Sequence, residues 1–457
     1  MLEQLFKLKE NHTTARAEIM GGATTFVTMA YIIVVNPAIL SFAGLPVGPS
    51  TVATILAAVF GSLLMGVYAN RPIAVAPYMG ENAFIAFGLA ALGLSWQLRL
   101  GAVFVSGLGF ALITLLRVRA WLANSISASM KHSFAVGIGL FLAFIGVYET
   151  GIVTSFVTGM PAQALLAPNS TLLRVPDVPV KIGNLWDPRV LLSIFGFLVI
   201  MTLLYRQVRG AILIGIALTA GVGFVFHLGL APKAIVALPF TGDYSLQAIA
   251  LKLDIAGVLR LSFLPILLTL FLMGFLDTLG TLVGVGAAGQ MLDEKGDFPR
   301  IEQPMMVDAV TCMFSALAGT STSGAYIESA TGIREGARTG LAAVTTATLF
   351  AASLFFIPLL EPLQQLRYAY GPALIAVGVL MMGSITRIDF GDLAELVPAF
   401  VTIVMMVFTY NIGNGLTAGL VLYPLMKVVS GRVRELNWGG VVLGVLCAIY
   451  YVFGLPH

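Results

Sequence analysis

The chain has 457 residues, of which 58% are hydrophobic and only 10% are charged, and its net charge is +3. Soluble globular domains carry about 25% charged residues, so this composition excludes a typical soluble domain. The basic residues are scattered at the ends of apolar blocks, which argues against nucleic-acid binding. Blocks long enough to cross a bilayer recur from Ile19 to Phe453, as in an α-helical membrane protein with many spans.

The apolar blocks predict two sets of seven spans with a polar break between them. The first set is 19–43, 51–69, 79–94, 98–116, 133–148, 189–205 and 211–228. The second set is 262–289, 305–318, 326–333, 340–358, 371–385, 396–410 and 411–429. Within the break, residues 244–256 are predicted to form an amphipathic helix along the membrane interface. A further block, 438–454, either crosses again or lies along the membrane.

This pattern divides the chain into a cytoplasmic N-terminus (1–18), a first repeat of seven spans (19–230), a linker with the interfacial helix (231–260), a second repeat (261–430) and a C-terminal apolar segment (431–457). Basic residues follow every second span, so the positive-inside rule predicts a cytoplasmic N-terminus and a multi-pass protein of the cell's cytoplasmic membrane. No cleaved signal peptide is expected. The loop 149–188 is predicted to be extracytoplasmic.

The third and tenth spans are too short to cross the hydrocarbon core, which needs about 20 helical residues. Pro72 and Pro77 favour extended backbone in the third span, with a half-helix from about Tyr78–Gly80. The hydroxyl run 320–323 favours extended backbone in the tenth span, with a half-helix from about Tyr326. Paired interrupted segments in corresponding positions of two halves point to the site of a transporter.

Three acids stand in apolar surroundings: Asp277 in the eighth span, Glu81 in the third and Glu328 in the tenth. A carboxylate at bilayer depth costs about 2.5–3.5 kcal/mol on insertion scales, so each needs a partner or a cavity. Acids in such places can bind and release protons, and their oxygens can accept N–H groups from a planar heterocycle. Glu81 and Glu328 could instead cap their own half-helices, whereas Asp277 lies in mid-helix and has no cap to make.

Other polar side chains adjoin these acids. Asn82 adds an amide beside Glu81, and Thr278 and Thr281 form a polar stripe with Asp277, although packing of small residues between helices explains the threonines equally well. Thr28 occupies the corresponding place in the first span. The sequence contains no metal-ligand spacing, no nucleophile–base set and no cofactor motif, so an enzyme or receptor is not expected.

Four segments resemble the AzgA-like purine permeases, the adenine/guanine/hypoxanthine branch of the nucleobase–cation symporter family 2 within the nucleobase–ascorbate transporter superfamily. They are residues 22–37, 76–84 (Ala-Pro-Tyr-Met-Gly-Glu-Asn-Ala-Phe), 275–281 (Phe-Leu-Asp-Thr-Leu-Gly-Thr) and 319–330. The resemblance covers nearly the whole chain, and the motifs occur in the same order.

The resemblance implies an all-α protein with the uracil-permease type of fold: an inverted repeat of seven plus seven spans, about 14 in total, with short strands in the third and tenth spans. It implies a core domain of spans 1–4 and 8–11 and a gate domain of spans 5–7 and 12–14. It further implies proton symport of a purine base such as guanine, hypoxanthine or adenine. Asp277 and Glu328 would hold the base, and Asn82 would support them. The residues themselves add Thr281, Ser329, Tyr78 and Thr28 as further candidates for the substrate site, and Glu328 or Asp277 as the carrier of the coupled proton.

One departure from the family pattern concerns the third span. The family often has Gly-Met-Gly-Leu-Asn-Ala, whereas this chain has Tyr78-Met-Gly-Glu81-Asn82-Ala. Tyr78 could stack on a base or simply pack, and Glu81 could be an extra proton site, a purine contact or a cap. The coupling ion could be H⁺ or Na⁺. The chain could also form a homodimer, because the wider family includes dimers. The alternative function is an anion transporter or channel on the same fold.

Overall fold

Helices make up most of the chain in the computed structural model, which describes residues 2–89, 92–116, 125–158, 179–232, 234–289, 291 and 298–453. The first half contains Leu2–Phe6, Ala15–Met29, Ile32–Ser41, Val47–Val67, the strand Val75–Pro77, Met79–Ala83, the π-helix Phe84–Gly88, Trp96–Leu115, Ala128–Glu149, the strands Val153–Ser155 and Val180–Ile182, Pro188–Tyr205 and Ala211–Val225.

The second half begins with the 3₁₀ turn Leu261–Phe263. It continues with Leu264–Ala288, Glu302–Ala318, the strand Ser323–Ala325, Ser329–Arg334, Gly340–Ser353, Leu354–Phe356, Ile357–Gln365, Arg367–Met381, Met382–Arg387, Leu393–Phe408, Ile412–Val429, Val433–Glu435 and Trp438–Phe453. A helix or half-helix therefore occupies each of the predicted span positions.

Nine helices in the described part of the chain are long and apolar enough to cross a membrane. They are Ala15–Ser41, Val47–Val67, Trp96–Leu115, Ala128–Glu149, Pro188–Tyr205, Leu261–Ala287, Gly340–Gln365, Arg367–Arg387 and Ile412–Val429. Ala211–Val225, Leu393–Phe408 and Trp438–Ile449 are shorter apolar helices. The predicted all-α membrane fold is confirmed.

The interrupted third and tenth spans meet through their extended segments. Val75–Pro77 pairs antiparallel with Ser323–Ala325, with Val75 opposite Ala325 and Pro77 opposite Ser323. The ladder continues beyond the strands, because the Tyr78 N–H donates to the Thr322 carbonyl and the Tyr326 N–H donates to the Ala74 carbonyl. The predicted strands in both spans are thus confirmed, and their backbone groups are satisfied inside the protein as membrane depth requires.

The half-helix of the tenth span begins at Ser329, three residues after the predicted start. Residues 326–331 make i→i+3 turns rather than α-helical i→i+4 bonds, and the α-helix starts only after them. In the third span the half-helix begins at Met79, within the predicted range.

Residues 244–256 do not form the predicted amphipathic helix. Only the 3₁₀ turns Gly242–Tyr244 and Leu246–Ala248 and the single helical turn Ile255–Val258 are present. This segment is anchored instead by backbone bonds, because the Leu251 N–H donates to Leu317 and the Asp254 N–H donates to Gln97. The C-terminal helix Trp438–Phe453 packs on Ile412–Val429.

The helices pack in two groups. In one group, Glu302–Ala318 packs on Trp96–Leu115 and Val47–Val67, and Gly340–Ser353 packs on Val47–Val67 and Ala15–Met29. In the other group, Ala128–Glu149 contacts Arg367–Met381 and Leu393–Phe408, and Pro188–Tyr205 contacts Ala211–Val225. These contacts follow the division into core and gate that the sequence resemblance predicts, and the strand pair lies in the first group.

A proline in the first span leaves one backbone carbonyl without its helical hydrogen bond, and a distant side chain donates to this carbonyl instead. Pro37 has no N–H and so leaves the Ile33 carbonyl without its helical donor. The buried Gln364 side chain donates to this carbonyl at 2.8 Å and also bonds Thr51. This hydrogen bond from Gln364 links the first span to the end of the eleventh span.

Asn36 joins four spans in the interior of the core group. Its amide nitrogen donates to the Thr54 and Thr320 hydroxyls at 2.7 and 3.0 Å, and its amide oxygen accepts from Ser321 at 3.1 Å. The Asn36 carbonyl also accepts from the Asn82 amide at 3.4 Å. This residue therefore holds the strand-containing spans against the first two.

We expect Asn36→Leu to destabilise the protein, because the buried hydroxyls of Thr54, Thr320 and Ser321 would each lose a hydrogen bond, at about 1 kcal/mol for each bond. The melting temperature of the purified protein in detergent should fall by several degrees. Asn11→Ala is the matched control, since the Asn11 amide makes a single bond to Lys7 outside the spans. Equal melting temperatures for both variants would contradict the structural role of Asn36.

Candidate functional site

Asp277 and Glu328 lie close together beside the strand pair. Asp277 is in the middle of the helix Leu264–Ala288, and Glu328 immediately precedes the half-helix Ser329–Arg334. The two carboxylates are near enough to repel each other electrostatically. Both side chains are partly accessible rather than fully buried. The structure therefore brings together the two acids that the sequence places in separate halves.

Glu328 does not cap its half-helix, because its side chain makes no capping hydrogen bond. The Tyr31 hydroxyl donates instead to Glu328 Oε1 at 2.8 Å. Tyr31 is 1% exposed and lies at the break between the two helices of the first span. One carboxylate oxygen is thus fixed by the first span. Tyr31 is not among the site residues predicted from the sequence.

A second cluster lies behind Asp277 and centres on Asp308, which is fully buried in the ninth span. Asp308 Oδ2 accepts from the Thr278 hydroxyl at 2.8 Å and from the Ala325 N–H at 2.9 Å. The Tyr78 hydroxyl contacts Thr278 at 2.8 Å and Asp308 at 3.4 Å. Asp308 therefore joins the eighth, ninth and tenth spans next to Asp277.

The structure favours packing rather than base stacking for Tyr78. The side chain is 5% exposed and lies against Gly324, where an added Cβ would be 2.0 Å from the Tyr78 hydroxyl oxygen. With its hydroxyl bonded and its ring against the strand, Tyr78 has no free face for a base. Its position supports the residues around Asp277.

Four of the predicted site residues remain to be placed: Thr281, Thr28, Ser329 and Asn82. Thr281 lies one helical turn beyond Asp277, and the Thr28 hydroxyl contacts Thr331 of the half-helix at 3.1 Å. Ser329 is fully buried and its hydroxyl accepts from the Ala74 N–H at 3.0 Å, so it holds the strand region. Asn82 is fully buried, and its amide oxygen has no partner among the described residues.

Two backbone N–H groups beside the acids are used within the chain. The Asn82 N–H donates to the Tyr78 carbonyl and the Ser329 N–H donates to the Tyr326 carbonyl, so each closes a turn.

Glu81 lies against the helix that carries Asp277, close enough for the charges of the two carboxylates to repel each other. Its carboxylate is 1% exposed and lies against Gly274 of the eighth span, where an added Cβ would be 3.5 Å from Glu81 Oε1. The preceding residue, Gly80, faces Ile138 of the fifth span. The Glu81 side chain is thus directed into the core group, and it makes no capping bond to its half-helix.

Two buried cations occupy the described spans, and both are committed elsewhere. Arg99 donates to the Ile85 and Ala86 carbonyls at the C-terminal end of the third span. Lys427 pairs with Glu395 and Glu435 near the cytoplasmic end predicted for the fourteenth span. Neither neutralises an acid at the strand pair.

Comparison with known proteins identifies the family of the chain. Residues 16–416 match the model of the Permease family. The chain belongs to this family. It is 39% identical to the adenine permease AdeP of Escherichia coli, over 100% of this chain and 97% of AdeP. It is 36% identical to the guanine/hypoxanthine permease PbuO of Bacillus subtilis, over 97% of this chain and 98% of PbuO. The predicted resemblance to nucleobase permeases is confirmed, and the permease is not an enzyme.

The transmembrane domain of the cyanobacterial bicarbonate transporter BicA has a similar structure, with a TM-score of 0.61 at 16% identity, over 88% of the permease and 97% of that domain. At this identity the similarity concerns the fold. It confirms the predicted fold class, in which two interrupted spans meet beside a separate group of helices.

Proposed function

We propose that the permease is a secondary active transporter that imports a purine nucleobase together with a proton. The observation that carries the proposal is the pair of partly accessible carboxylates, Asp277 and Glu328, beside the crossing of the two interrupted spans. Carboxylate oxygens accept the N–H groups of a planar heterocycle, and a carboxylate can also take up the coupled proton. The nucleobases in the names of AdeP and PbuO support a purine as the substrate.

Each residue has a defined role in this proposal. Asp277 and Glu328 bind the base, and one of the two acids carries the proton. Thr281 and Thr28 surround the base, Asn82 supports the two acids, and Tyr78 and Ser329 position the backbone around the base. Movement of the core group against the gate group exposes the site to each side in turn. The permease would lie in the cytoplasmic membrane with its N-terminus inside.

The alternative, an anion transporter of the same fold, is less well supported. An anion site requires a cation or unoccupied backbone donors. Here Arg99 and Lys427 are bound elsewhere, and the Asn82 and Ser329 N–H groups are used within the chain. Two carboxylates at the crossing would repel an anion.

Uptake of a panel of radiolabelled bases tests the proposal. Cells that lack their own purine uptake would express the permease and receive adenine, guanine, hypoxanthine or xanthine, with and without a protonophore. We expect saturable uptake of at least one purine and its loss on addition of the protonophore. Uptake that follows a sodium gradient would exclude the proton as the coupling ion, and bicarbonate uptake without purine uptake would overturn the proposal.

We expect Tyr31→Phe to raise the KM for the base about tenfold with a smaller change in maximal rate. A hydrogen bond to a charged group contributes about 1.5–3 kcal/mol, and part of this energy holds Glu328 in the binding geometry. The control is Tyr68→Phe, because Tyr68 is 52% exposed at the end of the second span. An unchanged KM would show that Tyr31 does not position Glu328.

A further inference from the structure

A small cavity lies inside the core group, behind the half-helix of the third span. Its volume is about 10 Å³, close to that of a single water-sized probe. Its walls include Glu81, Ser106, Phe110, Phe271, Gly274 and Thr322. Both oxygens of Glu81 and the hydroxyl of Thr322 lack a hydrogen-bond partner in the described part of the chain. Glu81 is 1% exposed and Thr322 is 3% exposed.

An ionised carboxylate cannot remain unpaired in such a place without a large desolvation cost. None of the residues that line the cavity is a lysine, an arginine or a histidine. A bound cation, which is either a metal ion or a proton, must therefore neutralise Glu81. A dehydrated metal ion needs several oxygen ligands. In the described part of the chain, no group of three or more His, Cys, Asp or Glu residues is placed to hold one.

A proton removes the charge and supplies a donor for one of these contacts. A protonated Glu81 has an O–H to donate, and the unpartnered Thr322 hydroxyl beside it can accept that hydrogen. The rest of the wall includes the apolar side chains of Phe110 and Phe271, which favour a neutral carboxyl. The cavity therefore fits a carboxylic acid better than a carboxylate with a metal ion.

The titratable groups that face Glu81 come from three elements. Tyr78 lies on its own segment, Asp277 on the eighth span, and Asp308 and Cys312 on the ninth. Asp277 and Asp308 repel a negative charge on Glu81. Gly274, which contacts the carboxylate, is one helical turn before Asp277. Two carboxylates this close do not both ionise without cost, so a change of charge at Asp277 is felt at Glu81.

We propose that Glu81 and Thr322 form a second proton site, separate from the Asp277–Glu328 pair, whose proton is exchanged during the transport cycle. The Glu81 carboxylate takes up a proton from water on the side where the base binds, and the carboxyl releases it to water on the opposite side, so one more proton crosses the membrane with each base. This inference rests on the proposed proton symport.

Infrared difference spectra of the full-length protein in lipid test the site independently of transport. We expect a carbonyl band of a protonated carboxylic acid that decreases as the pH is raised. The band should be absent in Glu81→Gln, retained in Asp277→Asn and shifted in frequency in Thr322→Val. A Glu81 band that does not change with pH would overturn the proposal, and so would the absence of any band assignable to Glu81.

The charge moved per base in proteoliposomes tests the second proton itself. At an imposed membrane potential, the wild type should move one positive charge more per base than Glu81→Gln. If Glu81→Gln does not turn over, proton release on purine binding by the purified protein replaces this measurement, with one proton fewer expected in the variant. Equal stoichiometry, or a dependence on sodium that Glu81→Gln removes, would overturn the proposal. If the wild type transports no purine while the infrared band titrates, the proposed function fails and the proton site stands.

Discussion

Asp277→Asn and Glu328→Gln should each reduce purine uptake by at least about thirtyfold while leaving the protein folded in the membrane. Each substitution keeps the size of the side chain but replaces an acceptor oxygen with an N–H donor. An N–H group of the base then faces the N–H donor of the amide instead of an acceptor oxygen. The amide also cannot carry the coupled proton. Loss of one partner of a buried charged hydrogen bond costs about 2–5 kcal/mol, which corresponds to roughly 30-fold or more.

Initial uptake rates, divided by the amount of protein in the membrane, measure this effect. The melting temperature of each purified variant should stay close to that of the wild type, because no hydrogen bond of Asp277 to another described side chain is lost and Glu328 keeps an acceptor for Tyr31. Asp389→Asn and Glu10→Gln are matched controls on exposed acids. Uptake near the wild-type level in both site variants would refute the assignment of the site.

The sequence predicts the general architecture and the two accessible acids for clear physical reasons. A charge inside an apolar span is costly, so Asp277 and Glu328 stand out against their surroundings. Prolines and a hydroxyl run interrupt the third and tenth spans, and extended backbone at membrane depth must pair with something. The strand pair of Val75–Pro77 with Ser323–Ala325 satisfies this requirement.

The supporting residues could not be predicted because their roles depend on tertiary contacts. Asp308 lies six residues after Glu302 and is typical, in sequence, of an acid near the start of a helix. Only the packing of three spans shows that it accepts from Thr278 and Ala325. Tyr31 likewise looks like one more apolar residue of the first span until Glu328 is brought beside it. A tyrosine hydroxyl near a break in a helix is the one signal that could have suggested its role.

The direction of a side chain on a short half-helix is also set by its neighbours. In sequence, Glu81 and Asn82 stand together and suggest one shared site. In the structure, the Glu81 carboxylate lies against Gly274, while the Asn82 amide reaches Asn36. The two adjacent residues therefore serve different parts of the core group, and a motif of adjacent residues does not imply one common ligand.

Gly324→Ala should cause a severalfold loss of folded protein, because the strand crossing has no room for a side chain at this position. An added Cβ would lie 2.0 Å from the Tyr78 hydroxyl oxygen and 2.3 Å from its ring carbon Cζ. The ring is held by its bonds to Thr278 and Asp308 and cannot move without breaking them. Overpacking of this kind typically costs about 1–3 kcal/mol, and the lost hydrogen bonds add to that cost. Fluorescence-detected size exclusion of solubilised membranes measures the yield.

A compensating substitution makes the physical cause testable. Tyr78→Gly introduces the residue that the purine-permease pattern often has here, and it removes the three atoms that lie nearest to the new Cβ. The double variant Tyr78→Gly/Gly324→Ala should therefore give more folded protein than Gly324→Ala alone. Gly383→Ala is the control for a glycine with open space, since nothing lies within 4 Å of its added Cβ. If the double variant is no better folded than Gly324→Ala, the clash with Tyr78 is not what makes glycine necessary, and the packed position of Tyr78 behind Asp277 must be abandoned.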